Sequence, residues 1–153
     1  MDALLTTIAL WLSLNYGLPA ADAHPQIEFV PAREIAFLRY NAITPEARIE
    51  IAPRVDALIK TGRETVALYF PTRKVILLSD RWTGRTPADL SVLVHEMVHH
   101  LQYSAALTYE CGAAREALAY EAQDRWLNLF GSSLMSEFEI DAFTLKVSTS
   151  CGF

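Results

Sequence analysis

One stretch constrains this chain more than any other. Thr86 to Gln102 carries both a helix start and the string His95-Glu96-Met97-Val98-His99. Thr86-Pro87-Ala88-Asp89 predicts a helix N-terminus, with Thr as the cap, Pro at the first helical position and an acid at the third. From there Leu90, Leu93, Val94, Met97, Val98 and Leu101 recur at helical spacing and form one apolar stripe at about 100° per residue. Ser91, His95, His99 and Gln102 fall on an adjoining face. The helix therefore has a core side, and a polar side capable of chemistry lies next to it.

His95 and His99 stand four residues apart, which on a helix puts their Cβ atoms roughly 5–6 Å from each other on one face. That is the reach needed for two imidazoles to hold one zinc ion. Glu96 then lies beside the metal, where a carboxylate can take a proton from a zinc-activated water. Three of the four histidines (His95, His99 and His100, with His24 apart) fall within six residues. The alternative is that His95 and His99 are surface or hydrogen-bonded core histidines. His100 points about 100° away from His99 and reads as a polar neighbour.

A catalytic zinc takes three protein ligands and leaves a fourth position for water. The next helical stretch, Ala113 to Phe130, offers Glu116, Glu121 and Asp124. Gly112 and the segment 105–111 can turn the chain, so the two helices are expected to form an antiparallel hairpin. On the helical wheel Ala119, Tyr120, Trp126, Leu127 and Phe130 cluster on one side, with Glu116 and Gln123 inside that arc and Glu121 roughly opposite. A carboxylate on a buried face costs several kcal/mol unless it is paired or binds a metal. Glu116 is thus the expected third ligand and Glu121 the reserve; a buried salt bridge or a first-turn acid favoured by the helix dipole is the alternative for Glu116. Gln102 and Gln123 lie about two turns beyond His95 and Glu116 on the matching faces, where they can orient ligands or serve as interfacial polar residues.

The run Val94 to Gln102, followed by Cys111 and Arg115-Glu116-Ala117-Leu118-Ala119-Tyr120, resembles a group of small bacterial zincin-like proteins taken to be peptidases. More broadly it is similar to the gluzincin metallopeptidases, whose zinc is held by His, His and a downstream Glu. The resemblance extends over most of the chain, including the Trp82–Thr86 lead-in and Phe138-Glu139-Ile140-Asp141. It implies a zincin-like fold with Zn²⁺ on His95, His99 and Glu116. One departure stands out: the Asn-Glu-x-x-x-Asp pattern of the large thermolysin-like enzymes is missing. Tyr120 occupies the place of the Asp that supports the first histidine there.

The chain as a whole bounds the reading. Its 153 residues suffice for one domain with a real core, and 52% apolar against 20% charged residues argues for a globular protein. A net charge of −5 without a basic run speaks against nucleic acid and anionic membranes as partners. No apolar run reaches the roughly 18 uninterrupted residues of a membrane span. Leu4, Leu5, Ile8, Trp11 and Leu12 repeat with helical period, and Gly17-Leu18-Pro19 ends the pattern. Residues 1–23 are therefore read as an opening helix of the domain. The competing reading is a signal peptide cleaved near Ala21-Asp22-Ala23, against which stands an early charge that is Asp2 where Lys or Arg is wanted.

Cys111 and Cys151 are the only cysteines. A disulfide between them contributes about 3–4 kcal/mol in the chain-entropy model and ties the C-terminus to the glutamate helix. The alternative is two thiols in a reducing cytosol. We favour the disulfide and with it a periplasmic or extracellular protein, a location that needs the signal which the opening-helix reading denies.

Elsewhere Ile27–Val30 reads as a strand, Pro31 starts a short helix through Tyr40, and residues 41–63 give little signal beyond a helical turn at Val55–Lys60. Thr65–Phe70 and Lys74–Leu78 are β-rich runs joined by Pro71-Thr72-Arg73, a hairpin. Lys74–Leu78 is a candidate edge for pairing with an extended substrate, against the plainer reading of a buried hairpin. The segment after the glutamate helix reads as irregular. The expected architecture is α+β: a compact zincin-like domain in which a small sheet packs with an antiparallel helix pair carrying the metal site. The expected activity is a zinc-dependent hydrolase, a metallopeptidase acting on peptide or protein through a zinc-activated water, with Glu96 as general base and Tyr103 or Tyr120 near the oxyanion. The alternative is a catalytically silent, zinc-stabilised binding or regulatory domain on the same scaffold.

Overall fold

The computed structural model describes every residue except 22, 63, 64 and 153, so Asp22 of the candidate cleavage site lies outside the described residues. The chain is α+β, with elements in the order α1 (Asp2–Tyr16), β1 (Gln26–Val30), α2 (Ala32–Arg39), α3 (Pro45–Lys60), β2 (Ala67–Phe70), β3 (Val75–Ser79), α4 (Pro87–Ser104), α5 (Gly112–Asn128), α6 (Leu134–Phe138) and α7 (Ala142–Thr149). It divides into two compact units, one of residues 26–83 and one of residues 1–25 with 84–153. No described helix is long and apolar enough to cross a membrane.

In the unit of residues 26–83, β2 and β3 form the expected antiparallel hairpin, Ala67 opposite Leu78 and Phe70 opposite Val75. β1 pairs parallel with the other side of β3, from Gln26 opposite Val75 to Val30 opposite Ser79. The strand order is β1-β3-β2, and every residue of β3 is buried. Both edges of β3 carry partners, so the plainer reading of Lys74–Leu78 as part of a buried hairpin holds and the candidate substrate edge does not. The unbroken apolar run Val75-Ile76-Leu77-Leu78 is what a strand covered on both faces looks like. Its parallel partner arrives by a crossover containing α2 and α3, which no local hairpin signal announces. Ile35 of α2 packs with Val75 and Leu77, and Ala36, Phe37, Ala42 and Val55 form a second cluster between α2 and α3.

A correction concerns α3. It runs through sixteen residues where the sequence suggested only a turn. Thr44 caps it by accepting from the Ala47 N–H, with Pro45 at the first helical position, the same device that starts α4. Pro53 lies inside the helix.

The other unit is helical. α1 buries Leu5, Ile8 and Leu12 and ends at Gly17, whose φ of 64° is the left-handed conformation glycine adopts without strain. α1 packs on α4, and Trp11 meets Trp126 of α5 edge-on at 5.3 Å. α4 starts as expected, with the Thr86 hydroxyl accepting from the Asp89 N–H. From Ser91 to Gln102 every residue of α4 is buried, so its polar face is enclosed as fully as its apolar stripe.

α4 and α5 run antiparallel in close contact, joined by residues 105–111. α5 ends at Asn128, which leaves Phe130 54% exposed and outside the apolar arc expected for it. The tail is helical where an irregular segment was expected: Ser133 and Asp141 cap α6 and α7 through their side chains, and α7 packs on α5. Cys111, the N-cap residue of α5, is joined to Cys151 by a disulfide. Such bonds persist in oxidising compartments, which fits a location outside the cytoplasm.

Candidate metal centre

The interface between α4 and α5 brings three of the expected residues to one point. His95 Nε2 lies 3.2 Å from Glu116 Oε2, His99 Nε2 lies 3.4 Å from the same oxygen, and the two imidazole nitrogens are 3.2 Å apart. The spacing of four residues on α4 aligns the two rings, and Glu116 in the second turn of α5 reaches back to both. Both histidines are buried, and the Glu116 side chain is 21% exposed. Glu121, the reserve, is exposed and takes no part in the cluster; its backbone carbonyl accepts from the Tyr16 hydroxyl.

Two hydrogen-bond relays fix which ring nitrogen of each histidine carries the proton. In the first, the Ser91 hydroxyl donates to the Ala88 carbonyl at 2.8 Å, which leaves Ser91 Oγ to accept from Gln123 Nε2 at 3.3 Å. The Gln123 amide is thereby oriented, and its Oε1 accepts the Nδ1–H of His95 at 3.0 Å. In the second, Gln102 Nε2 donates to the Arg115 carbonyl at 3.1 Å, and Gln102 Oε1 accepts the Nδ1–H of His99 at 3.1 Å. Both Nε2 atoms therefore present lone pairs. Gln102 and Gln123 thus do what the wheel allowed, and Ser91 ends the first relay. Ser91 lies one turn before His95, the sequence signal that could have assigned it this role.

Two imidazole lone pairs and a carboxylate oxygen now face one another in a buried site without a donor among them. Such an arrangement needs a cation at its centre, either a proton or a metal ion. Burial alone pulls the pKa of His99 down, but the hydrogen bond to Glu116 and the charges of Glu96 and Glu116 outweigh it and hold the imidazole above its ordinary value. Burial pushes the Glu116 carboxyl up, yet the hydrogen bonds and charges of His95 and His99 prevail and hold it well below the usual carboxylate range. His95, His99 and Glu116 form a group that can hold a metal ion.

The neighbours take distinct places. Glu96 is 7% exposed and within electrostatic reach of His99. The Tyr120 ring meets the His95 ring edge-on at 4.7 Å, while the supporting hydrogen bond comes from Gln123, one turn further along α5. The Tyr103 ring lies under the guanidinium of Arg115. His100 is fully buried and donates from Nε2 to the Ala23 carbonyl at 3.0 Å, a structural tie apart from the cluster. Arg115 was not singled out from sequence, because the wheel weighs apolar positions and the residue carries no pattern of its own.

No curated protein and no solved structure matches the chain significantly. The model of one family, described as a domain of unknown function (DUF6647), matches residues 1–152, and the chain belongs to that family.

Proposed function

We propose that this chain is a zinc-dependent hydrolase of the metallopeptidase kind on a zincin-like scaffold, with Zn²⁺ on His95, His99 and Glu116 and with Glu96 as general base. The supporting observation is the convergence of His95 Nε2, His99 Nε2 and Glu116 Oε2, each offering a lone pair and each imidazole locked in the tautomer that ligation requires. Two imidazoles and one carboxylate are a donor set of catalytic zinc, which keeps a fourth position open. A bound zinc ion supplies Lewis acidity, which makes water a nucleophile near neutral pH and polarises a substrate carbonyl.

Glu96 accepts a proton from the attacking water and returns it to the leaving amine nitrogen. Peptide and water thus become carboxylic acid and amine, and the Glu96 carboxylate is regenerated. Gln123 and Gln102 hold the imidazoles in register throughout, since neither Nδ1–H has to move. The substrate class is peptide or protein, and the Cys111–Cys151 disulfide supports action in the periplasm or outside the cell.

The test pairs elemental analysis with cleavage of a randomised peptide pool, for wild type and Glu96→Gln. Stoichiometric zinc in both proteins with cleavage by the wild type alone is the expected result. Zinc in both with no cleavage by either leaves a zinc-stabilised binding domain. A wild type that takes up no zinc after refolding with the metal sinks the reading.

A further inference from the structure

Arg115 is the residue before Glu116, and its backbone carbonyl accepts from Gln102, whose amide oxygen accepts from His99. The backbone of Arg115 is thus two hydrogen bonds from one candidate ligand and one residue from another. Its guanidinium carbon lies 4.0 Å from the centroid of the Tyr103 ring and 5.3 Å from that of Tyr109. Tyr103 follows His99 by four residues, so it continues the histidine face of α4 about one turn, ~6 Å, beyond the cluster.

What the guanidinium lacks is an acceptor. Its Nε is buried without a hydrogen-bond partner. Arg33, Arg48 and Arg73 each pair with a carboxylate, whereas Arg115, like Arg39 and Arg54, has none within ion-pair distance among the described residues; of these three only Arg115 has a buried, unpartnered guanidinium nitrogen. Aromatic rings hold a guanidinium by its face and leave the in-plane N–H edge for a ligand, and that edge matches a carboxylate in a two-pronged hydrogen bond.

We propose that Arg115, held over Tyr103 and beside Tyr109, is an anchor for a carboxylate of the peptide substrate next to the metal centre. The proposal rests on the hydrolase reading for its substrate class, while the anchor itself requires no metal. A substrate carboxylate has two sources, a free C-terminus or an Asp or Glu side chain, and the experiment separates them.

Three pools of N-acetylated pentapeptides are passed over the immobilised full chain, metal-free and zinc-loaded, in the non-hydrolysing Glu96→Gln background. The first pool ends in a free carboxylate and excludes Asp and Glu. The second ends in an amide and includes them, and the third ends in an amide and excludes them. Retention of one carboxylate pool about tenfold over the neutral pool is expected from charge-assisted hydrogen bonds to the guanidinium. Arg115→Gln is expected to abolish the difference and Arg115→Lys to keep part of it, with thermal melts confirming that each variant folds.

Equal retention of all three pools by the chain with Arg115 intact overturns the proposal without reference to any variant. So does a preference that survives in folded Arg115→Gln. Zinc content of the same samples separates the two readings. A carboxylate preference without zinc uptake leaves the anchor and removes the hydrolase. Zinc uptake without a carboxylate preference does the reverse.

Discussion

Gln123 Oε1 accepts the Nδ1–H of His95 across the α4–α5 interface at 3.0 Å, and the Ser91 hydroxyl oxygen fixes the orientation of that amide from the other side. The pair ties the tautomer of a ring on one helix to a side chain on the other. Gln123→Leu keeps the bulk and removes the acceptor, which frees the imidazole to turn. Loss of such a partner weakens metal binding by about 10–100-fold. Competition against a chelator measures the change, and an unchanged zinc affinity in Gln123→Leu would show that the relay does not hold the ligand.

The two glutamates of α5 separate cleanly in this structure. Glu116 meets both Nε2 atoms, while Glu121 is exposed on another face. Glu116→Gln is expected to lose stoichiometric zinc in elemental analysis, and Glu121→Gln to keep it. The opposite result would mean that α5 is rotated by more than a residue from the arrangement described.

Protons compete with metal at this cluster, and the direction follows from the two shifts. The Glu116 carboxyl lies below its ordinary pKa, so its contribution to stability is present above about 4.3 and fades as the pH falls towards its folded value. His99 lies above its ordinary pKa, so its contribution is complete below about 6.5 and is lost as the pH rises through its folded value. The metal-free protein should therefore be most stable between those two ordinary values as far as this pair is concerned. Zinc needs the neutral imidazole, so the rise in Tm on adding zinc should grow as the pH climbs above about 6.5. Paired thermal melts from pH 5 to pH 8 check this. A zinc-induced shift that is flat over that range would remove the proton–metal competition.

The disulfide closes a loop with a sequence separation of 40 and joins the N-cap of α5 to the end of the chain. In the chain-entropy model that constraint contributes about 4 kcal/mol. For a chain of this size the double variant Cys111→Ser, Cys151→Ser should melt about 8–16 °C lower than wild type. A melting point that does not change would mean that packing of α7 on α5 holds the tail without the bond.

How much of this could be read beforehand depends on whether the signal was local. The start of α4 was legible because Thr86, Pro87 and Asp89 form a cap signal within four consecutive residues. The choice of Glu116 over Glu121 followed from a helical wheel that needs only the register of α5. The central place of β3 was not legible, because its parallel partner β1 lies far back in sequence and pairs through a crossover. The unpaired guanidinium of Arg115 was hidden for a related reason: what matters is the missing acceptor, and only the fold shows it. α3 is the instructive failure, since Thr44-Pro45-Glu46-Ala47 repeats the signal recognised at Thr86. Pro53 lies inside the helix, where a proline lacks the N–H and is costly.

That cost is itself measurable. Pro53 is exposed in the middle of α3 and lacks the N–H that would bond the Ile49 carbonyl. Replacement by Ala restores the bond and relieves the ring, a gain of up to about 3 kcal/mol on helix-propensity scales. Against this, a chain without the proline has more freedom to lose on folding, which takes back about 1 kcal/mol. Part of the propensity cost has already been relieved by local adjustment of the helix, so the net gain for Pro53→Ala should be about 1–2 kcal/mol. Denaturant melts should show a higher midpoint at unchanged slope. Zinc affinity should stay the same, because Pro53 and the ligands belong to different compact units. A loss of stability in Pro53→Ala would mean that the proline is held by its surroundings in a geometry that Ala cannot keep.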